Sequence, residues 1–191
     1  MSAAPGPSQE FPQRVATFAA PASLEARGIG LRAARAADLD WLRTLYASTR
    51  STELAGVPWP EMAKRAFLDQ QFALQHAHYL RHFGDADFLI AETAHGAIGR
   101  LYLDRSRAPH VLVDISLLPA WRGQGIGTAL VVHAQALASA AGQALTLHVM
   151  LANAAAQRLY ARLGFIPAEA GQTHLAMRWS ADGAGSPATV S

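Results

Sequence analysis

Residues of this chain whose types and spacing could do chemistry fall in three places. The first is Arg122-Gly123-Gln124-Gly125-Ile126-Gly127, between a run that reads as a strand and one that reads as a helix. Alternating glycines let a backbone turn tightly and approach a ligand without Cβ interference, and the first free N–H groups of the following helix meet that ligand with partial positive charge. An anion is the natural occupant, and Arg122 adds a permanent cation. A dinucleotide fingerprint needs Gly-x-Gly-x-x-Gly, but its last position falls on Thr128 from Gly123 and on Leu130 from Gly125. A Walker loop needs Lys after its glycines, and Gly127 is followed by Thr128. Second, Asn153 and Tyr160 stand seven positions apart, two helical turns, and share a helix face. Third, Asp114 interrupts the apolar run His110 to Pro119. A buried carboxylate is costly. Asp114 therefore either pairs with a cation, for which Arg100 is a candidate, or opens into a cavity.

What the loop does fit is the Arg/Gln-x-x-Gly-x-Gly/Ala signature, and through it the sequence resembles the GCN5-related N-acetyltransferases (GNAT). Asn153-Ala-Ala-Ala156-Gln-Arg-Leu159-Tyr160-Ala-Arg-Leu-Gly164-Phe165 is similar to that family's Asn-x-x-Ala-x-x-Leu-Tyr-x-x-x-Gly-Phe element. Ile115-Ser-Leu117-Leu-Pro119 resembles its Leu-x-Val-x-Pro, with Leu in the Val place. The resemblance covers Gly28 to Trp179 and is specific across Val111 to Phe165. Val57 to Trp59 and Gln71 to Gln75 resemble a bacterial branch of the family and supply no substrate.

The resemblance implies acetyl-CoA as co-substrate and a primary amine as acceptor. It further implies that Leu117 offers its backbone N–H to the thioester carbonyl. The amides of Arg122, Gly123, Gln124, Gly125, Ile126, Gly127 and Thr128 would hold the pyrophosphate. Asn153 would bind the pantetheine arm and Tyr160 would donate a proton to the departing thiolate. A phenol and a thiol, with reference pKa values of roughly 10 and 8.5, can exchange that proton when close. The amine must lose a proton before attack. Asp114 is the candidate base, with a salt bridge that stiffens the sheet as the alternative. The chain has no cysteine, so direct attack in a ternary complex is expected rather than a cysteine acyl-enzyme. A small-molecule amine is the first expectation, a protein N-terminus or lysine the second. A noncatalytic acyl-CoA sensor is the rival from another class, disfavoured by a retained proton donor at Tyr160.

These residues need elements to position them. Ile29 to Ala34 reads as a strand, and Asp38 stands where it could cap a helix carrying Leu39, Leu42, Leu45 and Tyr46. Val57-Pro58-Trp59-Pro60 breaks the chain, and a long helix is predicted from Glu61 to Phe83. On it Leu68, Phe72, Tyr79 and Phe83 share a face. Gln71, Gln75, His78 and His82 form a polar stripe beside that face, either a solvated edge or the lining of an acceptor cleft, with Gln71, Gln75 and His78 as candidate substrate contacts. His78 and His82 have the spacing of a metal pair without an evident third ligand, so no metal is expected. Asp87 to Ala94 and Ala97 to Asp104 read as a hairpin, and His110 to Pro119 as a central strand covered on both faces. Beyond it stand a helix through Ala129 to Leu137, a strand from Ala144 to Val149, a helix from Asn153 to Leu163 and a last strand pair through Gly171. The fold class expected is α+β: a mixed, largely antiparallel sheet of six to seven strands with helices on both faces, the GNAT fold.

Composition sets the limits. A chain of 191 residues, 51% hydrophobic, suits one domain, expected over residues 28–179. Residues 1–27 and 180–191, rich in small residues and Pro, Ser or Gly, are expected to be flexible appendages. A net charge of +2 points to no nucleic-acid partner. There is no signal-like start and no apolar run long enough for a bilayer, so no membrane partner and a cytoplasmic location are the default. A homodimer stays open.

Overall fold

The structure is a computed structural model and describes residues 11–12 and 18–181. Its elements are α1 (Ala22–Glu25), β1 (Gly30–Ala33), α2 (Leu39–Leu54), α3 (Glu61–His82), β2 (Asp87–Thr93), β3 (Gly96–Asp104), β4 (His110–Leu117), α4 (Ile126–Ala140), β5 (Leu145–Met150), α5 (Ala154–Arg162), β6 (Ile166–Ala170) and β7 (His174–Trp179). The strands form one seven-stranded sheet in the order β1-β2-β3-β4-β5-β7-β6. Every pairing is antiparallel except β4 with β5, which the crossover through α4 makes parallel. The α+β architecture matches the expectation from sequence. No helix of the described residues is long and apolar enough to cross a membrane.

Alternation along the strands divides the interior between the two faces of the sheet. Leu89 and Ala91 of β2 join Leu101 and Leu103 of β3 under α4, whereas Phe88, Ile90 and Tyr102 turn toward α2 and α3. Helix α4 buries Ile126, Leu130, Val131, Ala134 and Ala138 on the first face. Each fully buried Leu or Val of this kind contributes roughly 1.5–3 kcal/mol. On the second face Leu42, Leu45, Leu68 and Phe72 meet the sheet.

Three expectations are corrected by this packing. Residues before Gly28 are not simply an appendage: Phe18, Ala20 and Leu24 are buried on the α4 side, and Phe11 packs against Phe88 and His76 on the other. Of the expected C-terminal tail, residues 182–191 lie outside the described residues. Asp38 does not cap α2. It lies in a 3-10 turn before it, accepts the Arg35 N–H at 2.7 Å, and is held by Arg32, whose Nη1 and Nη2 donate at 2.7 and 2.8 Å. Burial opposes the Asp38 charge, but Arg32 and the Arg35 N–H together outweigh it and the Asp38 pKa is lowered.

The third correction concerns β4, which is covered on both faces only at its start. His110 and Leu112 are buried, while Val113 to Leu117 are only partly buried. Two features explain this. The register with β3 shifts so that Tyr102 faces Asp114 and Leu103 faces Leu112, leaving Val113 as the extra residue of a bulge. Pairing with β5 then covers only His110 to Leu112 against Leu145 to Leu147, although both strands run on. From that point β4 and β5 part, and a wedge opens in the sheet.

Candidate functional site

The wedge has two lips, each built from the segment that leaves the end of a strand. After β4 comes a 3-10 turn, Pro119–Trp121, and then the glycine loop. Gly123 and Gly125 have φ of 71° and 77°, the left-handed region that L side chains rarely adopt. Gly125 is the N-cap of α4 and brings no capping side chain. The first backbone bond of that helix end is Ala129 N–H to Gly125 C=O, and among the described residues the N–H groups of Gly123 to Thr128 find no backbone or side-chain acceptor. A Cβ added at Gly123 or Gly125 would meet nothing within 4 Å. The loop thus presents a row of free donors to open space at a positive helix end, which is the chemistry a phosphate requires. The Arg122 amide is not one of them, since it donates to Pro119 O at 3.2 Å. Its guanidinium is turned to structure as well: Nε donates to Leu117 O at 2.8 Å and Nη2 to Ser48 O at 3.4 Å. Arg122 ties the end of β4 to α2 rather than standing free at the rim.

Inside the wedge, Leu118 N–H donates to Ile98 O of β3 at 2.9 Å. Alternate residues of a strand send their N–H groups to opposite sides. The amides of Leu117 and Ile115 therefore point away from β3, into the gap that β5 has left. Leu117, singled out from sequence, has its donor where an acyl oxygen could use it.

The opposite lip is α5, which starts just beyond β5. Asn153 is its N-cap: Oδ1 accepts the Ala156 N–H at 3.0 Å, so the oxygen serves the helix and the amide nitrogen is what remains for a ligand. Gln157 Nε2 donates to Met150 O and Leu151 O, clamping α5 to the end of β5. Two turns on, Tyr160 is 8% exposed and packs edge-on to Phe165 at 5.6 Å. Burial, with a lesser effect of the Asp114 carboxylate, pushes its pKa up to about 12. Its hydroxyl has no hydrogen-bond partner among the described residues.

Asp114 is the centre of a buried polar hub. Arg100 donates from Nε to Oδ1 at 3.0 Å and from Nη2 to Oδ2 at 2.8 Å, Tyr79 Oη donates to Oδ2 at 2.9 Å, and Ser116 Oγ to Oδ1 at 2.9 Å. The pair is 3% and 11% exposed. Burial works against the Arg100 cation, but Asp114, Tyr102 and Tyr79 more than restore it and its pKa is raised. Burial also raises Tyr79, joined by the Asp114 charge. A carboxylate with four donors, two of them from one bidentate guanidinium, has little left for an amine's proton. This arrangement favours the alternative for Asp114, an ion pair that braces the bulge of β4.

The polar stripe of α3 is divided by the same hub. Gln75 accepts from Arg100 Nη2 at 2.8 Å and so belongs to it. Gln71 is half-buried, and His78 is exposed with its ring 4.4 Å from that of His82. Burial, then the neighbouring His82, lowers the His78 pKa. Gln71, Gln75 and His78 are not among the residues that line the cavity between α2 and α3. That cavity, about 380 Å³, lies between α2 and the first turns of α3, walled by Ser48, Ser51, Glu61, Lys64, Arg65 and Leu68. Ser48 is also the residue whose carbonyl receives Arg122, so one residue joins the wall of this cavity to the loop end of the wedge.

Sequence reasoning missed Arg27, whose Nη1 donates to Gln124 O at 3.0 Å across 97 positions of chain. It precedes the first strand and no local pattern marks it. The bulge at Val113 was equally hidden, because a register shift is a property of two strands.

Residues 84–167 match the model described as the acetyltransferase (GNAT) domain. No curated protein matches the sequence. Among solved structures, the PaiA N-acetyltransferase of Thermoplasma acidophilum in complex with coenzyme A superposes with a TM-score of 0.61 at 19% identity, covering 80% of this chain and 98% of that one. Spermidine N-acetyltransferase of Vibrio cholerae, in complex with coenzyme A and spermine, gives 0.56 at 19%, over 82% and 98%. The ribosomal-protein-S18-alanine N-acetyltransferase of Escherichia coli gives 0.55 at 17%, over 85% and 99%. At such identities the likeness is one of fold.

Proposed function

We propose that this chain, whose residues 84–167 match the acetyltransferase (GNAT) domain, moves the acetyl group of acetyl-CoA to a primary amine of a small molecule, by direct attack in a ternary complex. The observation that carries this reading is the wedge itself, with free amides from Gly123 to Thr128 on one lip and the Tyr160 hydroxyl on the other.

The co-substrate supplies an activated thioester. Toward it, the amides of Gly123, Gln124, Gly125, Ile126, Gly127 and Thr128 would take the diphosphate, and the Asn153 amide nitrogen would donate to the pantetheine arm. Leu117 N–H would meet the carbonyl oxygen as it gains charge. A fixed donor there is worth about 3–4 kcal/mol, since it acts in a site poor in water. Tyr160 would give its proton to the leaving sulfur. Its raised pKa does not oppose this, because the same apolar setting raises the thiol for the same reason.

Acceptor size is argued from the cavity between α2 and α3. About 380 Å³ falls in the range of small-molecule pockets. The spermidine and ribosomal-protein enzymes among the structural neighbours have a polyamine and a protein alanine in their names, so both acceptor types occur on this fold. The small volume favours the first.

The test is free-thiol release from acetyl-CoA by the purified protein with amines, polyamines, amino acids and short peptides. Release dependent on a small amine is expected. Release with peptides alone would transfer the assignment to a protein acceptor. Binding of acetyl-CoA without release for any acceptor would favour the noncatalytic sensor.

A further inference from the structure

We propose that the segment preceding β1 completes the phosphate site, with Arg27 as the cation that bonds a phosphate group of the co-substrate; this rests on the acetyl-CoA reading above. Of the described arginines, Arg32, Arg43, Arg50, Arg65, Arg100, Arg105 and Arg107 each meet a carboxylate. Arg27 does not. Its guanidinium spends one N–H, from Nη1 to Gln124 O, in the middle of the loop whose amides are free. A guanidinium has five N–H groups, so four remain for an anion. The side chain is exposed, with no other partner among the described residues.

Arg27 is also held in place from behind. Arg27 N–H donates to Leu24 O at 2.9 Å, Gly28 N–H to Glu25 O at 2.9 Å, and Ile29 N–H to Leu24 O at 3.0 Å. Leu24 and Ile29, on either side of this turn, are each 1% exposed. Ahead of them, Phe18 packs edge-on to His133 of α4 at 5.1 Å and lies under the Arg105 guanidinium at 5.3 Å. The segment is thus anchored to the helix whose N-terminus forms the cradle, and it delivers a cation to that end. A preorganised guanidinium loses little freedom on binding, and a bidentate contact to phosphate is open to it.

The experiment is titration calorimetry of the full chain with acetyl-CoA and with its 3′-dephospho form, for the parent, Arg27→Ala and Arg27→Lys. Arg27→Ala is expected to weaken acetyl-CoA binding about tenfold, the effect of one charge-assisted contact. Arg27→Lys, a point charge without the fork, should recover part of it. The melting temperature without ligand should stay at the parent value, which separates a binding role from a structural one. Equal weakening toward both forms assigns Arg27 to the diphosphate, and weakening confined to the 3′-phosphorylated form assigns it to that phosphate. Unchanged affinity of Arg27→Ala for both forms, in a parent that binds, overturns the proposal alone. A parent that binds neither form overturns the acetyl-CoA reading, and the proposal with it.

Discussion

Tyr160 keeps its proton at neutral pH, as a phenol of pKa about 10 already would, and burial pushes the value further up, to about 12, so its chemistry at this site is that of a donor. Tyr160→Phe removes one oxygen and keeps the edge-on contact with Phe165. Turnover should fall about a hundredfold, the scale of one positioned proton donor, with acetyl-CoA affinity unchanged by calorimetry. A variant as fast as the parent would mean that the sulfur finds its proton elsewhere. Tyr160 and Asn153 were legible from spacing, since two helical turns put both on one face of α5. Asp114 was half legible. Its cost when buried and its partner Arg100 were evident, but Tyr79, Ser116 and Gln75 were not, because α3 had to be laid across the sheet before they could meet.

Strand β3 shows how tightly the elements around the wedge are fitted. A Cβ at Gly99 would lie 2.6 Å from Ser116 O and 2.5 Å from Leu117 Cδ2. The first contact is backbone, which a rotamer change cannot relieve. Gly99→Ala should therefore destabilise the fold by roughly 1–3 kcal/mol in chemical denaturation, the usual range for overpacking. It should also lower turnover beyond the loss of folded protein, since β4 must move just where Leu117 aims its amide. Full activity per folded molecule would separate that amide from catalysis. Element types were readable from apolar periodicity, and so was the glycine loop. The short β4–β5 pairing was not, because it is a property of two strands brought together by the fold.

At the scale of the molecule, two cores share one sheet, and the residues before β1 contribute to both. Leu24 is 1% exposed, so Leu24→Ala should cost about 2–4 kcal/mol and lower the melting temperature. A melting temperature equal to the parent's would return the segment to the status of an appendage. Composition misled here, since Pro, Ala and Ser dominate a stretch whose few large apolar residues decide its fate. The bulge at Val113 carries a consequence for inheritance. Counting from Leu112, strict alternation would put Asp114 and Ser116 beneath α4, and Ile115 and Leu117 toward α3; one additional residue reverses the whole run. The buried charge and the acyl-facing amide owe their sides to the length of the strand rather than to its letters. Point substitutions can tune this site by degrees, whereas loss of one codon at Val113 would turn it inside out.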